Sequence, residues 1–138
     1  MKINVFTDGG ARGNPGTAGF GVVIYGENKK IIFQQAKHIG IKTNNEAEYL
    51  ALLSALEWIK DNKNNFNISQ IDFHSDSQLM VRQVQGVYKV KAGNLLPLFN
   101  QAKHLLPLIN LPCQFIDIKR EYNKLADSLA NQAMDQKL

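Results

Sequence analysis

The sequence predicts an α/β fold, a five-stranded mixed sheet with three antiparallel strands and then parallel strands, flanked by helices. Three observations predict it. Polar and apolar residues alternate with period two in the first third of the chain, where short Gly- and Asn-rich connections imply an antiparallel meander. Helical and strand-like stretches then take turns, which implies crossover connections and parallel pairing. With 138 residues and 44% hydrophobic content, the chain suits one domain over residues 1–138, without repeat or linker.

Residues 2–7 read as the first strand, ending at Asp8. A Gly-rich turn at 9–16 leads to a second strand at 19–25, and a tight turn at 26–29 leads to a third at 30–36. Thr43, Asn44 and Asn45 offer caps for a long helix over 46–61 that is rich in Ala, Leu and Glu. A fourth strand spans about 70–75, and Asp76-Ser77 can cap a short helix running to Gly86. A further helix over about 93–106 has Pro97 in its first turn and is ended by Pro107. Residues 114–119 alternate as the fifth strand, and Asn123 caps a final helix. Right-handed crossovers put strands four and five beside strand one.

The charge balance of 16 basic to 12 acidic residues, net +4 with a pI near 9.2, modestly favours a polyanionic partner. No apolar run is long enough to span a membrane, and the N-terminus enters a strand pattern where a signal peptide would be hydrophobic. The lone Cys113 excludes an internal disulfide and a cysteine metal knuckle, which fits a reduced, cytoplasmic protein. Nothing in the sequence demands a protein partner, and a monomer is expected.

Ligand sites in open sheets gather at the carboxyl ends of strands near a switch in strand order. Asp8 ends strand one, Asp76 lies just past strand four, and Asp127 sits in the first turns of the last helix. On the long helix, Glu46 and Glu48 point about 200° apart, so only one can face the sheet. Glu48 aligns with Leu52, Ala55 and Ile59, whereas Glu46 aligns with Leu50, Leu53 and Glu57, so Glu48 is assigned inward. Asp8, Glu48, Asp76 and Asp127 then form a cluster whose mutual repulsion is best relieved by divalent cations. Hard oxygen ligands without His or Cys select Mg²⁺ or Mn²⁺, and paired ions suit in-line displacement at phosphorus. Setting these four aside leaves 16 basic against 8 acidic residues, a net +8 suited to a phosphate backbone. Taken singly, each acid has a local alternative: a turn for Asp8, a solvated helix position for Glu48, an N-cap for Asp76, a helix-dipole partner for Asp127.

Three segments, Thr7-Asp8-Gly9-Gly10-Ala11-Arg12-Gly13-Asn14-Pro15-Gly16, Thr43-Asn44-Asn45-Glu46-Ala47-Glu48-Tyr49 and Ser75-Asp76-Ser77-Gln78-Leu79, resemble type 1 ribonuclease H. Asn123-Lys124-Leu125-Ala126-Asp127-Ser128-Leu129-Ala130 resembles that family's last motif, so the likeness runs in order from residue 2 to about 134. The resemblance implies a ribonuclease H-like fold and an Asp-Glu-Asp-Asp site for two Mg²⁺ ions, with Mn²⁺ as a possible substitute. It implies hydrolysis of the RNA strand of RNA/DNA hybrids, one metal activating water and the other stabilising the departing 3′ oxygen, to leave 5′-phosphate and 3′-hydroxyl ends. It also implies that positions matching Gly9, Gly10, Asn14, Asn44, Asn45 and Gln78 read the 2′-hydroxyl, with Thr43 near a DNA-strand phosphate. Turn and cap chemistry is the alternative for these residues.

Two features depart from the family pattern. The histidine that many members carry in the loop before the last acid is absent, since His38, His74 and His104 lie elsewhere and Lys119-Arg120-Glu121-Tyr122 fill the loop. The loop resembles that of shorter relatives with an arginine at this point, which implies that Arg120 supports the scissile phosphate, with an ordinary solvated charge as the alternative. The basic, tryptophan-bearing protrusion of some relatives is also missing, Trp58 being on the wrong helix. Tyr88, Lys89 and Lys91 offer a smaller substitute, which implies more salt-sensitive binding. Among other classes, a non-catalytic hybrid-binding module would be expected to have lost a carboxylate, and none is lost. A nuclease of the same fold acting on another substrate, such as a resolvase, fits the amide-rich motifs less well. A nucleotide phosphotransferase would need a Gly-Lys-Ser/Thr ending that the Gly-rich stretch lacks.

Overall fold

The computed structural model describes residues 1–136, in which five strands form one sheet in the order β3-β2-β1-β4-β5. The strands are β1 (Lys2–Gly13), β2 (Gly16–Tyr25), β3 (Ile31–Lys42), β4 (Gln70–Ser75) and β5 (Cys113–Asp117). The helices are α1 (Asn44–Asn62), α2 (Gln78–Val84), α3 (Leu96–Ile109) and α4 (Lys124–Met134), with 3₁₀ turns at Glu27–Lys29 and Arg120–Tyr122. β1 pairs antiparallel with β2 and β2 with β3, while β1 pairs parallel with β4 and β4 with β5. The mixed sheet expected from the sequence is therefore present, with strands four and five beside strand one.

The main core lies between the sheet and α1. Ile3, Val5, Phe20, Val22 and Ile24 from the strands meet Leu52, Ala55, Leu56 and Ile59, and α3 closes the far side of α1 with Ala102, Leu105 and Ile109. Because α1 is enclosed on several sides, its apolar residues run nearly all round it. Tyr49 donates a buried 2.6 Å hydrogen bond to Gln83 Oε1, tying α1 to α2. The other sheet face carries α4, which approaches at two glycines. A Cβ on Gly19 would lie 2.7 Å from Ala133 Cβ, and one on Gly21 would lie 2.4 Å from the Ala126 carbonyl oxygen.

Several boundaries differ from the sequence reading. The Gly-rich segment 9–16 is mostly strand: β1 and β2 pair continuously from Asn4↔Tyr25 to Gly13↔Gly16, leaving only Asn14 and Pro15 as the turn. Its glycines serve close packing more than chain reversal. β3 runs six residues further than expected, to Lys42, paired with the lengthened β2. Pro107 lies inside α3 instead of ending it, because a proline in the last turn removes one N–H without blocking the two residues that follow. The helix ends at Asn110, which adopts a left-handed conformation at φ 54. Ser77, not Asp76, caps α2 by accepting from Met80 N–H, and this leaves the Asp76 carboxylate free. Asn123 makes no side-chain cap bond to α4, its amide being engaged elsewhere. No helix among the described residues is long and apolar enough to cross a membrane.

Candidate active site

Parallel pairing of β1 and β4 ends at Thr7↔Ser75, so the next residue of each strand, Asp8 and Asp76, emerges at the same edge. The third acid comes from α1. A Cβ on Gly9 would fall 2.4 Å from the Ala47 carbonyl carbon, so only glycine lets β1 approach the first turn of α1 closely enough to set Asp8 against Glu48. Carboxylate oxygens of Asp8, Glu48 and Asp76 all lie within 4.8 Å of one another. Asp8 is 7% and Glu48 8% exposed. The inward assignment of Glu48 matches this geometry, while Glu46 completes a capping box. Its carboxylate accepts from Thr43 N–H at 2.9 Å, its own N–H donates to Thr43 Oγ1, and the Thr43 backbone bond holds its carboxyl below the ordinary range.

Asp127 lines the same cleft of about 620 Å³ but stands outside the three-acid cluster, where its Oδ1 accepts from Arg120 Nη2 at 3.3 Å. The four acids thus converge on one cleft as a tight group of three and a fourth at the rim. The Arg120 side chain is 77% exposed and its guanidinium is the cation that bears on Glu48 and Asp76.

Electrostatics mark the cluster as short of positive charge. Burial, then Asp76 and Asp127, push the Asp8 carboxyl up to about 8, against a smaller opposing effect of the Gly9 N–H, which donates to Asp8 Oδ1 at 3.0 Å. Glu48 is pushed well above its ordinary range by burial and by Asp8 and Asp76. Asp76 is raised mainly by burial, and hydrogen bonding to Asp8, Arg120 and the Asn123 amide pull the other way. Glu48 Oε1 is buried without a hydrogen-bond partner. A converging set of hard oxygen donors with one orphaned acceptor fits a divalent cation such as Mg²⁺ or Mn²⁺.

Of the residues expected to touch substrate, Gly9, Gly10, Asn44 and Arg120 line this cleft, whereas Asn14, Thr43, Asn45 and Gln78 are not among its lining residues. Gly9, Gly10, Ala11, Arg12 and Asn44 line it beside the acids. Asn44 Oδ1 accepts from Ala11 N–H at 2.8 Å and Asn44 N–H donates to Asn14 Oδ1 at 3.0 Å, so the β1–β2 hairpin and the α1 start are locked together. Asn45 and Gln78 are exposed at the starts of α1 and α2. His38 meets the Ala133 carbonyl, His74 stacks on Phe6 with ring centroids 4.4 Å apart, and His104 is exposed on α3, so none of the three enters the cleft. Trp58 stacks on Phe33, away from the acids. The sequence reading missed Asn131 and Met134, which also line the cleft, and the paired Arg12–Asp135 contact at 2.9 and 3.0 Å beside it. Their helical positions carried only a core or solvated signal.

A mixed sheet with acids at the ends of its two central parallel strands defines a ribonuclease H-like fold with a candidate hydrolytic site. Comparison with known proteins narrows the class. The family described as "Reverse transcriptase-like" matches residues 6–133. The structure of LC11-RNase H1 in complex with RNA/DNA hybrid, a protein isolated from compost by a metagenomic approach, is similar at a TM-score of 0.89 and 42% identity over 96% of each chain. A ribonuclease H of Prosthecochloris aestuarii is 32% identical over 96% of this chain and 95% of its own length. The bifunctional protein Rv2228c of Mycobacterium tuberculosis is 38% identical over 98% of this chain, which spans 36% of that longer relative. The chain belongs to the type 1 ribonuclease H family.

Proposed function

We propose that this chain hydrolyses the RNA strand of RNA/DNA hybrids at the cleft formed by Asp8, Glu48, Asp76 and Asp127, leaving 5′-phosphate and 3′-hydroxyl ends. The observation that carries the reading is the convergence of three carboxylates around the unpartnered Glu48 Oε1, beside a rim of backbone and amide groups suited to a nucleic-acid minor groove. Asp8, Glu48, Asp76 and Asp127 would hold two Mg²⁺ ions, with Mn²⁺ as a substitute. Bound there, such ions supply charge neutralisation at the phosphate and acidification of water.

The protein's own groups account for the rest. The acids form a fixed anionic pocket at the end of a rigid sheet, so the reacting phosphate is oriented without reorganisation of the protein. Arg120, at the rim next to Asp127, is placed to meet a phosphate oxygen by a charge-assisted hydrogen bond. With the Oδ1 atoms of Asn14 and Asn44 engaged inside the protein, their NH₂ groups remain donors for the substrate, as do the exposed amides of Asn45 and Gln78. Gly9 and Gly10 offer backbone groups to the hybrid at the cleft wall, and Thr43 keeps its hydroxyl proton for a DNA-strand phosphate while its oxygen caps α1.

Strand-labelled hybrid, duplex DNA and duplex RNA, each incubated with Mg²⁺, Mn²⁺ or EDTA, test the proposal. Metal-dependent cleavage confined to the RNA of the hybrid, with ends that a ligase can rejoin, is the expected result. Binding of hybrid without cleavage under any metal would overturn it in favour of a binding module.

A further inference from the structure

Asn123 lies between the Arg120–Tyr122 turn and α4, and it is 1% exposed where a capping asparagine would ordinarily meet solvent. Its Nδ2 donates to the Thr7 carbonyl oxygen at 2.9 Å, across 116 positions of sequence. Thr7 is the last residue of β1 paired with β4, directly before Asp8. The Asn123 amide also holds the nearby Asp76 carboxyl down against the rise that burial imposes on it. The Asn123 main chain reaches a third acid, because Asp127 N–H donates to the Asn123 carbonyl at 3.0 Å as the first bond of α4. One residue therefore bonds both the backbone directly before Asp8 and the backbone of Asp127.

Chemistry fixes the orientation of the amide. Turned over, Oδ1 would face the Thr7 carbonyl, acceptor against acceptor. As placed, Oδ1 is buried and has no partner. A residue serving only the fold would avoid that penalty, and an aspartate here would set a carboxylate oxygen against the Thr7 carbonyl, acceptor against acceptor.

We propose that Asn123 is a positioning residue, which clamps the end of β1 to the start of α4 so that Asp8 and Asp127 keep the spacing at which the acids share divalent cations. This rests on the metal-binding reading of the cleft. β4 has released β1 by the time the chain reaches Asp8 and Asp76, so the strand ladder no longer fixes the Asp8 backbone and the bond from Asn123 to Thr7 does.

The test is Mg²⁺ binding by calorimetry on wild type, Asp8→Asn, Asn123→Ala and Asn123→Ser, with kcat and KM on hybrid and circular dichroism for the fold. Removal of a group that orients a metal ligand weakens binding by about 10- to 100-fold. Asn123→Ala should show a loss of that size in Mg²⁺ affinity and a kcat at least about 10-fold lower, with KM for hybrid within about twofold of wild type. Asn123→Ser, which keeps one donor, should fall between, and it decides the matter by the same criterion if the alanine variant does not fold. Wild-type Mg²⁺ affinity and kcat in a folded Asn123 variant, with only the melting temperature lowered, would overturn the proposal while Asp8→Asn still loses Mg²⁺ and the metal site stands. If wild type itself binds no Mg²⁺, the metal site and the clamp fall together.

Discussion

Replacing Asp8 with asparagine should stabilise the metal-free protein near neutral pH. Asp8 is buried against Asp76 and Glu48, and its carboxyl is pushed from an ordinary 3.8 up to about 8. In the unfolded chain it ionises near pH 4, whereas in the fold it keeps its proton until about pH 8, so the native state binds more protons between those limits. Stability from this group is therefore full below pH 4 and is lost as pH rises through the folded value. Each unit corresponds to 1.36 kcal/mol, and the three units between 3.8 and 7 set a ceiling of about 4 kcal/mol. Water entry and the Arg120 charge reduce this, and a gain of about 2 kcal/mol for Asp8→Asn at pH 7 is expected. Denaturant unfolding in EDTA at half-unit steps from pH 4 to 8 measures it. The variant and wild type should coincide near pH 4 and separate as pH rises, and millimolar Mg²⁺ should reverse the order because only wild type binds it well. Parallel stability curves in EDTA across the whole range would refute the electrostatic reasoning.

Other expectations follow from single contacts. Asp76→Asn should abolish cleavage with an unchanged circular dichroism spectrum, and substantial Mg²⁺-dependent activity would count against its assignment. Glu48→Gln should remove activity, whereas Glu46→Ala should cost about 1 kcal/mol through the lost capping box and leave kcat nearly intact, as unfolding and turnover assays on both will show. Gly9→Ala should destabilise by about 1–3 kcal/mol and depress turnover, since its Cβ would meet Ala47 backbone atoms at 2.4 and 2.5 Å. Burial pushes the Cys113 thiol from 9.0 to about 11, so its alkylation at pH 8 should be about 100-fold slower than in the unfolded chain.

The fold was legible because its patterns are local and repeated. Alternation in β1–β3 and the apolar line of Leu52, Ala55 and Ile59 on α1 suffice to orient Glu48, and the β-α-β order suffices to bring Asp8 and Asp76 to one edge. Local chemistry misled where a tertiary contact decided the outcome. The Gly9–Gly13 run reads as turn, but close approach to α1 and pairing with β2 make it strand. Asn123 reads as a helix cap, but the Thr7 carbonyl 116 positions away takes its amide, a contact that no periodicity encodes. The place of Asp127 beside the tight group of three was likewise invisible, because it depends on how Arg120 and the first turn of α4 settle against the cleft.

The cleft of Asp8, Glu48 and Asp76 is proposed as a divalent-metal centre. Anomalous diffraction from crystals soaked in Mn²⁺ tests it most directly. A peak within coordination distance of Asp8, Glu48 and Asp76 is predicted, lost in crystals of Asp8→Asn. An empty cluster, or manganese bound only at carboxylates elsewhere, would contradict the account.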